Sequence, residues 1–414
     1  MMQIALARLK TIWPDASIQV LTDDPNQLAD CCPQIHPMAA GGRHAWAQSC
    51  LLRPEVYDAL PDELKVVFRI LRRTLKRSNP AVAKRLAISK LRSLSDAGSD
   101  TLDHYLETVR HADLVIVTGM GGITDAFPEY AFGLLETLDL AMESGAMTAL
   151  VGQGLGPLER RDLVAIAKRV LPKIDFISLR EGLYGLPLLQ RLGVARDRVA
   201  VTGDDAIELA YQRHPPVIGN HLGVNVRRAS YSAFDPLDIE RLRAPIVSII
   251  ELLKCSAISV PVSQRAVESD SKSFSDLLGC QVDVSQCGQN ITTPIQLIDQ
   301  IGRCRLVIVG SYHAAVFALA QGVSAIGLAG NAYYIQKFEG LAYQFGSGCE
   351  VIRFHENGFQ EELRSAATRM WNMADDVRPQ LLSRAAQQVV ASKAAYEALS
   401  QKANSRFAMA SDEA

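Results

Sequence analysis

The chain of 414 residues predicts an α/β protein built from two Rossmann-like domains. The first observation is a strand, helix, strand unit at residues 305–328, in which the apolar run 306–309 ends at Gly310 and an Ala-rich segment follows. Short apolar runs recur along the chain and are followed by glycine or a charged residue, as is typical of buried strands in a parallel sheet. The length also exceeds what one ordinary core holds, which favours two domains.

The predicted first domain spans residues 1–213 and contains a helical insertion at about 41–110. A stretch rich in proline and glycine then indicates a linker. The second domain spans 214–360 and contains the 305–328 unit. Residues 361–414 are predicted as C-terminal helices that return to the first domain and brace it. Two such domains with a bracing C-terminal helix suggest a GT-B type arrangement.

The start of the chain departs from the usual order of a doubly wound domain. Helical periodicity over residues 1–12 precedes the first predicted strand, residues 17–21. Such domains usually begin with a strand and a glycine-rich turn that lead into the first helix. We therefore expect this strand and turn to be encoded upstream of Met1, or to be trimmed from the chain.

Composition excludes several classes of protein. Lysine plus arginine and aspartate plus glutamate nearly balance, at 43 and 45 residues, which argues against a nucleic-acid partner. The eight cysteines show no CxxC spacing and follow no secretory segment, so we expect reduced thiols and a cytoplasmic location. The sequence also has no run of about 18 apolar residues, so we expect no transmembrane helix.

One segment is strongly basic. Between Lys65 and Arg92 the sequence has ten lysine or arginine residues and no aspartate or glutamate, within a helical apolar pattern. A basic amphipathic helix predicts peripheral contact with an anionic membrane, here at the inner face, through residues 65–92. The alternative is a solvated positive face on a helix that packs on the core.

The turn after the apolar run 306–309 is the strongest candidate for chemistry. Ser311, Tyr312 and His313 come at the carboxyl end of a predicted strand and at the start of a helix, where open α/β sheets bind ligands. Helix-terminal N–H groups there favour an anionic ligand. His313 can transfer protons near neutral pH, or it is only a helix-start residue bonded to its own turn.

Other candidate residues also follow predicted strands. Arg180 follows the strand 175–179 and can bind a carboxylate or phosphate with both ends of its guanidinium, or pair with Glu181 or another acid. Glycine clusters follow the strands 114–118 and 148–151, but the first lacks the GxGxxG spacing of a dinucleotide site. The further candidates for substrate binding are Gly121, Gly122, Gln153, Gly154, Asp204, Arg227 and Lys337.

Several segments together resemble one known family. These are GMGGITD at 119–125, GQGLGP at 152–157, ISLRE at 177–181, GDDAIEL at 203–209, the VNVR run that ends at Arg227, and GSYHAAVFALAQGV at 310–323. In order and spacing they resemble the polysaccharide pyruvyl transferases over residues 113–346. The resemblance implies a GT-B like fold and transfer of the enolpyruvyl unit of phosphoenolpyruvate to a sugar hydroxyl. The product is a pyruvate ketal in cell-wall or exopolysaccharide biosynthesis, on a sugar or lipid-linked oligosaccharide acceptor, without cofactor or metal.

The resemblance also assigns roles to particular residues. Arg180 matches the family's arginine after the strand, His313 matches its histidine, and Lys337 matches its lysine in the following loop. Two departures stand out: Ser311 occupies the position where many members have arginine, and the family's N-terminal loop with glycine and aspartate is absent. Two alternatives therefore remain, a GT-B glycosyltransferase that uses a nucleotide sugar and an inactive, truncated family member that acts as a scaffold.

Overall fold

The fold is taken from a computed structural model of the chain. It describes residues 2–33, 35–48, 56–57, 59–92, 98–228, 234, 236–265, 268–279 and 287–412. Parts of the predicted helical insertion, at 49–55, 58 and 93–97, therefore lie outside the described residues.

Contacts between Cα atoms divide the chain into two compact units. The C-terminal unit contains residues 180–184 and 201–393, and the N-terminal unit contains 2–179, 185–200 and 394–414. The units thus differ from the predicted domains of 1–213, 214–360 and 361–414. Residues 206–211 form a helix that packs on the helix of the 305–328 unit, which explains why 201–213 belong with the C-terminal unit.

A five-stranded sheet forms the centre of the C-terminal unit. Its strands are β7 (His221–Asn225), β8 (Ala257–Ser259), β9 (Cys304–Val309), β10 (Ser324–Ala329) and β11 (Cys349–Arg353). They lie in the order β11-β10-β9-β7-β8, and every neighbouring pair is parallel. In β9 all residues except Arg305 are buried, as expected for a central strand of a parallel sheet.

The N-terminal unit has a four-stranded sheet and a separate two-stranded one. The larger sheet has the order β3 (Leu114–Thr118), β4 (Met147–Gln153), β5 (Phe176–Leu179) and β6 (Val199–Val201), and the smaller pairs β1 (Gln19–Thr22) with β2 (His36–Ala39) in parallel. Strands β3, β4 and β5 pair in parallel. The predicted mixed α/β class with parallel sheets is therefore confirmed.

Helices connect the strands in both units. Those of the N-terminal unit are α1 (Met2–Ile12), α2 (Pro25–Cys31), α3 (Gly41–Gln48), α4 (Asp62–Ser78), α5 (Pro80–Arg92), α6 (Gly98–Arg110), α7 (Pro128–Glu143), α8 (Arg161–Val170) and α9 (Gly185–Arg191). Those of the C-terminal unit are α10 (Ala206–Tyr211), α11 (Pro236–Leu253), α12 (Asp270–Leu278), α13 (Pro294–Ile301), α14 (Tyr312–Ala320), α15 (Ala332–Phe345) and α16 (Phe359–Asn372).

A last helix, α17 (Ala374–Asp412), contributes to both units. Within the C-terminal unit, Arg378 donates to the carbonyl of Gln321 at 2.9 Å, and Ser392 donates to Asp205 at 2.6 Å. Within the N-terminal unit, Tyr396 and Leu399 belong to the apolar cluster that covers one face of β4. In the described part of the chain, none of the helices has the length and apolar character needed to cross a bilayer.

Helix α4 turns part of its basic face towards two neighbouring helices. Its basic side chains face acidic residues of α7 and α8: Arg73 pairs with Asp139 at 3.3 Å and Arg69 with Asp162 at 3.3 Å. Carboxylates on neighbouring helices thus pair with these two arginines, so the solvated positive face does not describe them. Contact of residues 65–92 with an anionic membrane stays a prediction.

Candidate active site

The turn between β9 and α14 is tightly packed against the neighbouring strand. The Gly310 N–H donates to the carbonyl of Asn225, at the end of β7, at 2.8 Å. A Cβ atom on Gly310 would lie 3.3 Å from the backbone nitrogen of Arg227, so a larger residue would push the turn away from β7. Ser311 then precedes α14 and its side chain makes no capping hydrogen bond. The turn thus places the N-terminal end of α14 beside the end of β7.

His313 lies in the first turn of α14 and has an unsatisfied ring nitrogen. Its Nε2 is shielded from solvent and has no hydrogen-bond partner among the described residues. Tyr312 packs edge-on against the imidazole, with ring centroids 5.5 Å apart. Burial, and then the charges of Arg180, Lys337 and Arg227, lower the pKa of His313 to about 3. The imidazole is therefore neutral at physiological pH, and it can accept a proton or bind a ligand through Nε2.

Arg180 provides one of the cations near His313. It follows β5, is buried, and its Nη1 lies 3.6 Å from Oδ2 of Asp204, which is too long for a hydrogen bond. Its guanidinium carbon lies 4.2 Å above the ring of Tyr312, in a cation–π contact. Asp204 follows β6 and accepts from the Ala206 N–H at 2.9 Å through its other oxygen. The sequence left open whether Arg180 binds a ligand or pairs with an acid. In the structure it forms a loose ion pair with Asp204 and not with Glu181.

Lys337 brings a second cation from α15. Its ammonium donates a hydrogen bond to the Tyr333 hydroxyl and lies 5.6 Å from the centroid of the Tyr312 ring. Burial, and then the charge of Arg180, lower the pKa of Lys337 well below its usual value, while Asp204 opposes this shift. Two basic side chains thus share one apolar, aromatic surrounding with the carboxylates of Asp204 and Glu181, and an anion would relieve the repulsion between the two bases.

Arg227 is held differently from the other two cations. Its guanidinium makes a two-pronged ion pair with Asp270, with Nε and Nη2 donating at 3.0 and 3.1 Å. Asp270 also accepts from Asn225 Nδ2 and from the backbone of Val262 and Ser263. Arg227 is therefore already paired with a buried carboxylate, and its effect on the site is mainly through its charge and its position beside Gly310. That it contacts the donor remains a prediction.

The sequence did not assign a role to three residues that shape this site. Asp270 lies in a polar stretch with no strand pattern before it, so nothing local indicates that it pairs with Arg227. Tyr333 and Tyr334, at the start of α15, lie buried around the Lys337 ammonium. Their aromatic character and their spacing from Lys337 on a helix were the available signal.

Comparison with known proteins identifies the family. A family model described as polysaccharide pyruvyl transferase matches residues 51–331, which is more than half of the chain. The chain belongs to the polysaccharide pyruvyl transferase family. Membership makes this protein a transferase. No curated protein sequence is significantly similar to the chain.

Solved structures of low sequence identity resemble the fold. A glycosyltransferase of kitacinnamycin is 10% identical, with 97% of this chain and 94% of that chain covered and a TM-score of 0.48. A glycosyltransferase from Rickettsia africae is 10% identical, with coverages of 97% and 93% and a TM-score of 0.46. A UDP-GlcNAc 2-epimerase from Neisseria meningitidis, solved with UDP-GlcNAc, is 12% identical, with coverages of 72% and 81% and a TM-score of 0.47.

Within the pyruvyl transferase motifs, the two glycine-rich loops have structural roles in the N-terminal unit. Gln153 donates from Nε2 to the carbonyl of Val117 at 2.9 Å, and the Gly154 N–H donates to the carbonyl of Met120 at 2.9 Å. A Cβ on Gly122 would lie 2.7 Å from the Tyr130 ring, so this position needs glycine for packing. The first contact joins the ends of β3 and β4, and the second joins the loops that follow these two strands. Substrate binding by Gly121, Gly122, Gln153 and Gly154 remains a prediction.

Proposed function

We propose that this transferase moves the enolpyruvyl unit of phosphoenolpyruvate onto a sugar hydroxyl and closes a pyruvate ketal. The observation that carries the proposal is the neutral His313 at the start of α14, with the cations of Arg180 and Lys337 around it. Phosphoenolpyruvate has a carboxylate and a phosphate, and both need cations or helix N–H groups. The guanidinium of Arg180 suits two-pronged binding, while Lys337 acts as a point charge.

The reaction needs one acid and one base. A proton adds to the methylene carbon of the donor, and the acceptor oxygen, which gives its proton to the base, bonds to the neighbouring carbon. The bond from that carbon to the phosphate oxygen then breaks. A second hydroxyl of the same sugar bonds to the same carbon and closes the ketal, and its proton goes to the released phosphate. We assign the base to His313, because its low pKa keeps it unprotonated before the donor binds. Lys337 is our candidate for the acid, since burial and Arg180 make its ammonium more acidic. No redox step occurs, so the reaction requires no redox cofactor.

The acceptor follows from the family rather than from the geometry. We propose a sugar of a cell-wall polysaccharide or exopolysaccharide, free or carried on a lipid-linked oligosaccharide. Phosphoenolpyruvate is made in the cytoplasm, so we place the reaction there. Glycosyl transfer from a nucleotide sugar is the competing function, and it would release a nucleoside diphosphate instead of inorganic phosphate.

The roles of His313 and Arg180 can be separated by kinetics. His313→Asn should lower turnover by about a hundredfold or more and leave the affinity for phosphoenolpyruvate nearly unchanged, because a general base acts chiefly in the transition state. Arg180→Lys should weaken donor binding by about 1.5–3 kcal/mol, because the forked contact is lost. Phosphate release from phosphoenolpyruvate, with methyl glycosides that have neighbouring free hydroxyls as acceptors, measures both effects.

The matched control is His355→Asn, an exposed histidine of the same unit, which should keep full activity. If His313→Asn releases phosphate as fast as the wild type does, His313 is not the general base and has only a structural role. Release of nucleoside diphosphate from a nucleotide sugar, without release of phosphate, would favour the glycosyltransferase.

A further inference from the structure

Helix α4 exposes apolar side chains along one face. Leu64, Val67, Ile70 and Leu71 are between 45% and 59% exposed, and they recur at the spacing of one helix face. We call these four residues the apolar stripe. Large apolar side chains grouped on a surface in this way commonly contact a partner or a membrane, whereas scattered ones need no explanation.

The opposite face of α4 is basic and borders a cavity of about 790 Å³ in the N-terminal unit. The titratable residues that line this cavity are Arg69, Arg72, Arg73, Lys76, Arg77, Arg110, Glu136, Asp139, Glu143, Asp162 and Arg169. Seven cations against four carboxylates give a formal charge of +3. Burial lowers the pKa of Lys76 to about 7, so the cavity keeps a net positive charge whether or not this lysine is protonated.

Four arginine side chains at the cavity have a buried guanidinium nitrogen without a hydrogen-bond partner among the described residues: Arg69, Arg72, Arg73 and Arg169. In Arg72 and Arg169 this nitrogen is Nε. Arg72 is more than nine-tenths buried, and its other nitrogens donate to Glu136 and to the carbonyl of Ala47. A buried, unsatisfied guanidinium N–H costs free energy, and an anion in the cavity would remove this cost.

The cavity and the apolar stripe meet at Ile70. This residue lines the cavity and is also the most exposed member of the stripe, at 59%. Arg77, about two helical turns further along, lines the cavity and is half exposed, and it pairs with Glu143 at 2.5 Å. An anionic group that entered here would therefore have an apolar surface directly beside it.

We propose that α4 docks on a membrane that contains anionic lipid, with the apolar stripe in the acyl region and a lipid phosphate in the cationic cavity. A lipid combines an anionic group and an apolar chain in one molecule, and this pair matches the two adjacent surfaces of α4. The cationic cavity, and not an exposed basic face of α4, would attract the lipid phosphate, because the carboxylates of α7 and α8 pair with much of the basic face. The proposal is independent of the pyruvyl transfer chemistry.

Vesicle sedimentation tests the proposal on the full chain. Vesicles of phosphatidylglycerol and phosphatidylcholine in equal parts should sediment the protein, and pure phosphatidylcholine vesicles should sediment much less. The double variant Val67→Asp, Ile70→Asp should reduce the partition coefficient at least tenfold, and Arg169→Gln should reduce it several-fold. Val217→Asp, at a 73% exposed apolar residue of the C-terminal unit, is the matched control and should bind as the wild type does.

Further measurements check that the variants are folded and test for a partner of α4 other than a lipid. Circular dichroism and the melting temperature show whether each variant is folded, and a variant that has lost its fold is replaced by Leu71→Asp alone. Equal sedimentation of wild type and stripe variants would overturn the proposal. Absence of vesicle binding would overturn it in two further cases. In the first, the protein binds free glycerol phosphate and the stripe variants bind it equally well. In the second, light scattering shows a wild-type dimer that the stripe variants dissociate.

Discussion

At the scale of single residues, the site depends on how three cations affect one imidazole. Arg180, Lys337 and Arg227 all lower the pKa of His313, and burial adds the largest effect. A protonated imidazole would be a fourth positive charge in the same place, so the neutral form is favoured. Phosphoenolpyruvate, the donor that we propose, would reverse this balance, because its carboxylate and phosphate would compensate the cations.

This reversal gives a prediction for the titration of His313. In the donor-free protein its ring should stay neutral from pH 8 down to about pH 5, and phosphoenolpyruvate should raise its pKa, because the donor's negative charge stabilises the imidazolium. NMR of protein labelled at histidine Cε1, with His313→Gln to assign the resonance, measures both states. Titration near the ordinary histidine pKa in the donor-free protein, unaltered by the donor, would contradict the assignment.

Some residues of the site could be predicted from the sequence and others could not. Residues within three positions after an apolar strand, such as Arg180 and Asp204, are recognisable because the carboxyl ends of parallel strands meet at one edge of a sheet. The pairing of Arg227 with Asp270 was not recognisable, because the two residues are 43 positions apart and no pattern links them. A basic residue of a sequence motif can thus be available to a ligand or already paired with a carboxylate. Only the three-dimensional structure distinguishes these two cases.

At the scale of secondary-structure elements, Lys337 depends on how closely α15 packs on β10. Gly327 of β10 faces the ring of Phe338, the residue after Lys337, and a Cβ there would lie 2.4 Å from a ring carbon. All six residues of β10 and the Phe338 side chain are buried, so the contact has no room to relax towards solvent. The glycine therefore sets the distance between the sheet and the helix that carries Lys337.

Gly327→Ala should for this reason destabilise the protein by about 1–3 kcal/mol and also weaken donor binding, since α15 must move. Thermal unfolding and calorimetry with phosphoenolpyruvate measure the two effects. A second substitution, Phe338→Leu, should recover part of both losses. Gly41→Ala is the control, because a Cβ there meets its nearest neighbour only at 4.0 Å. A loss of stability in Gly41→Ala equal to that in Gly327→Ala would show that close packing is not the cause.

Helix α4 shows what periodicity predicts and what it cannot. The spacing of apolar and basic residues correctly indicated an amphipathic helix within 61–94, observed as α4 and α5. Periodicity does not say which face turns inward, because the answer depends on the neighbours. Here α7 presents Glu136, Asp139 and Glu143, so the basic face packs inward and the apolar face remains exposed.

At the scale of the whole molecule, the order of strands and helices was well predicted where strands are continuously apolar. The predicted strands at 114–118, 148–151 and 306–309 correspond to β3, β4 and β9, with ends that differ by no more than two residues. Strands β2 and β11 were missed, because they contain proline or charged residues and lack an unbroken apolar run. Compact units were harder to delimit, since α10 follows β6 in sequence but packs on α14.

We infer that the cluster of Arg180, His313 and Lys337 binds phosphoenolpyruvate as the donor. Isothermal titration of the full chain with phosphoenolpyruvate, and separately with UDP-GlcNAc, tests this claim without knowledge of the acceptor. We expect phosphoenolpyruvate to bind, Arg180→Gln and Lys337→Gln each to weaken binding by tenfold or more, and UDP-GlcNAc not to compete. If UDP-GlcNAc binds, if these two substitutions weaken its binding, and if phosphoenolpyruvate does not bind, the cluster is not a site for phosphoenolpyruvate.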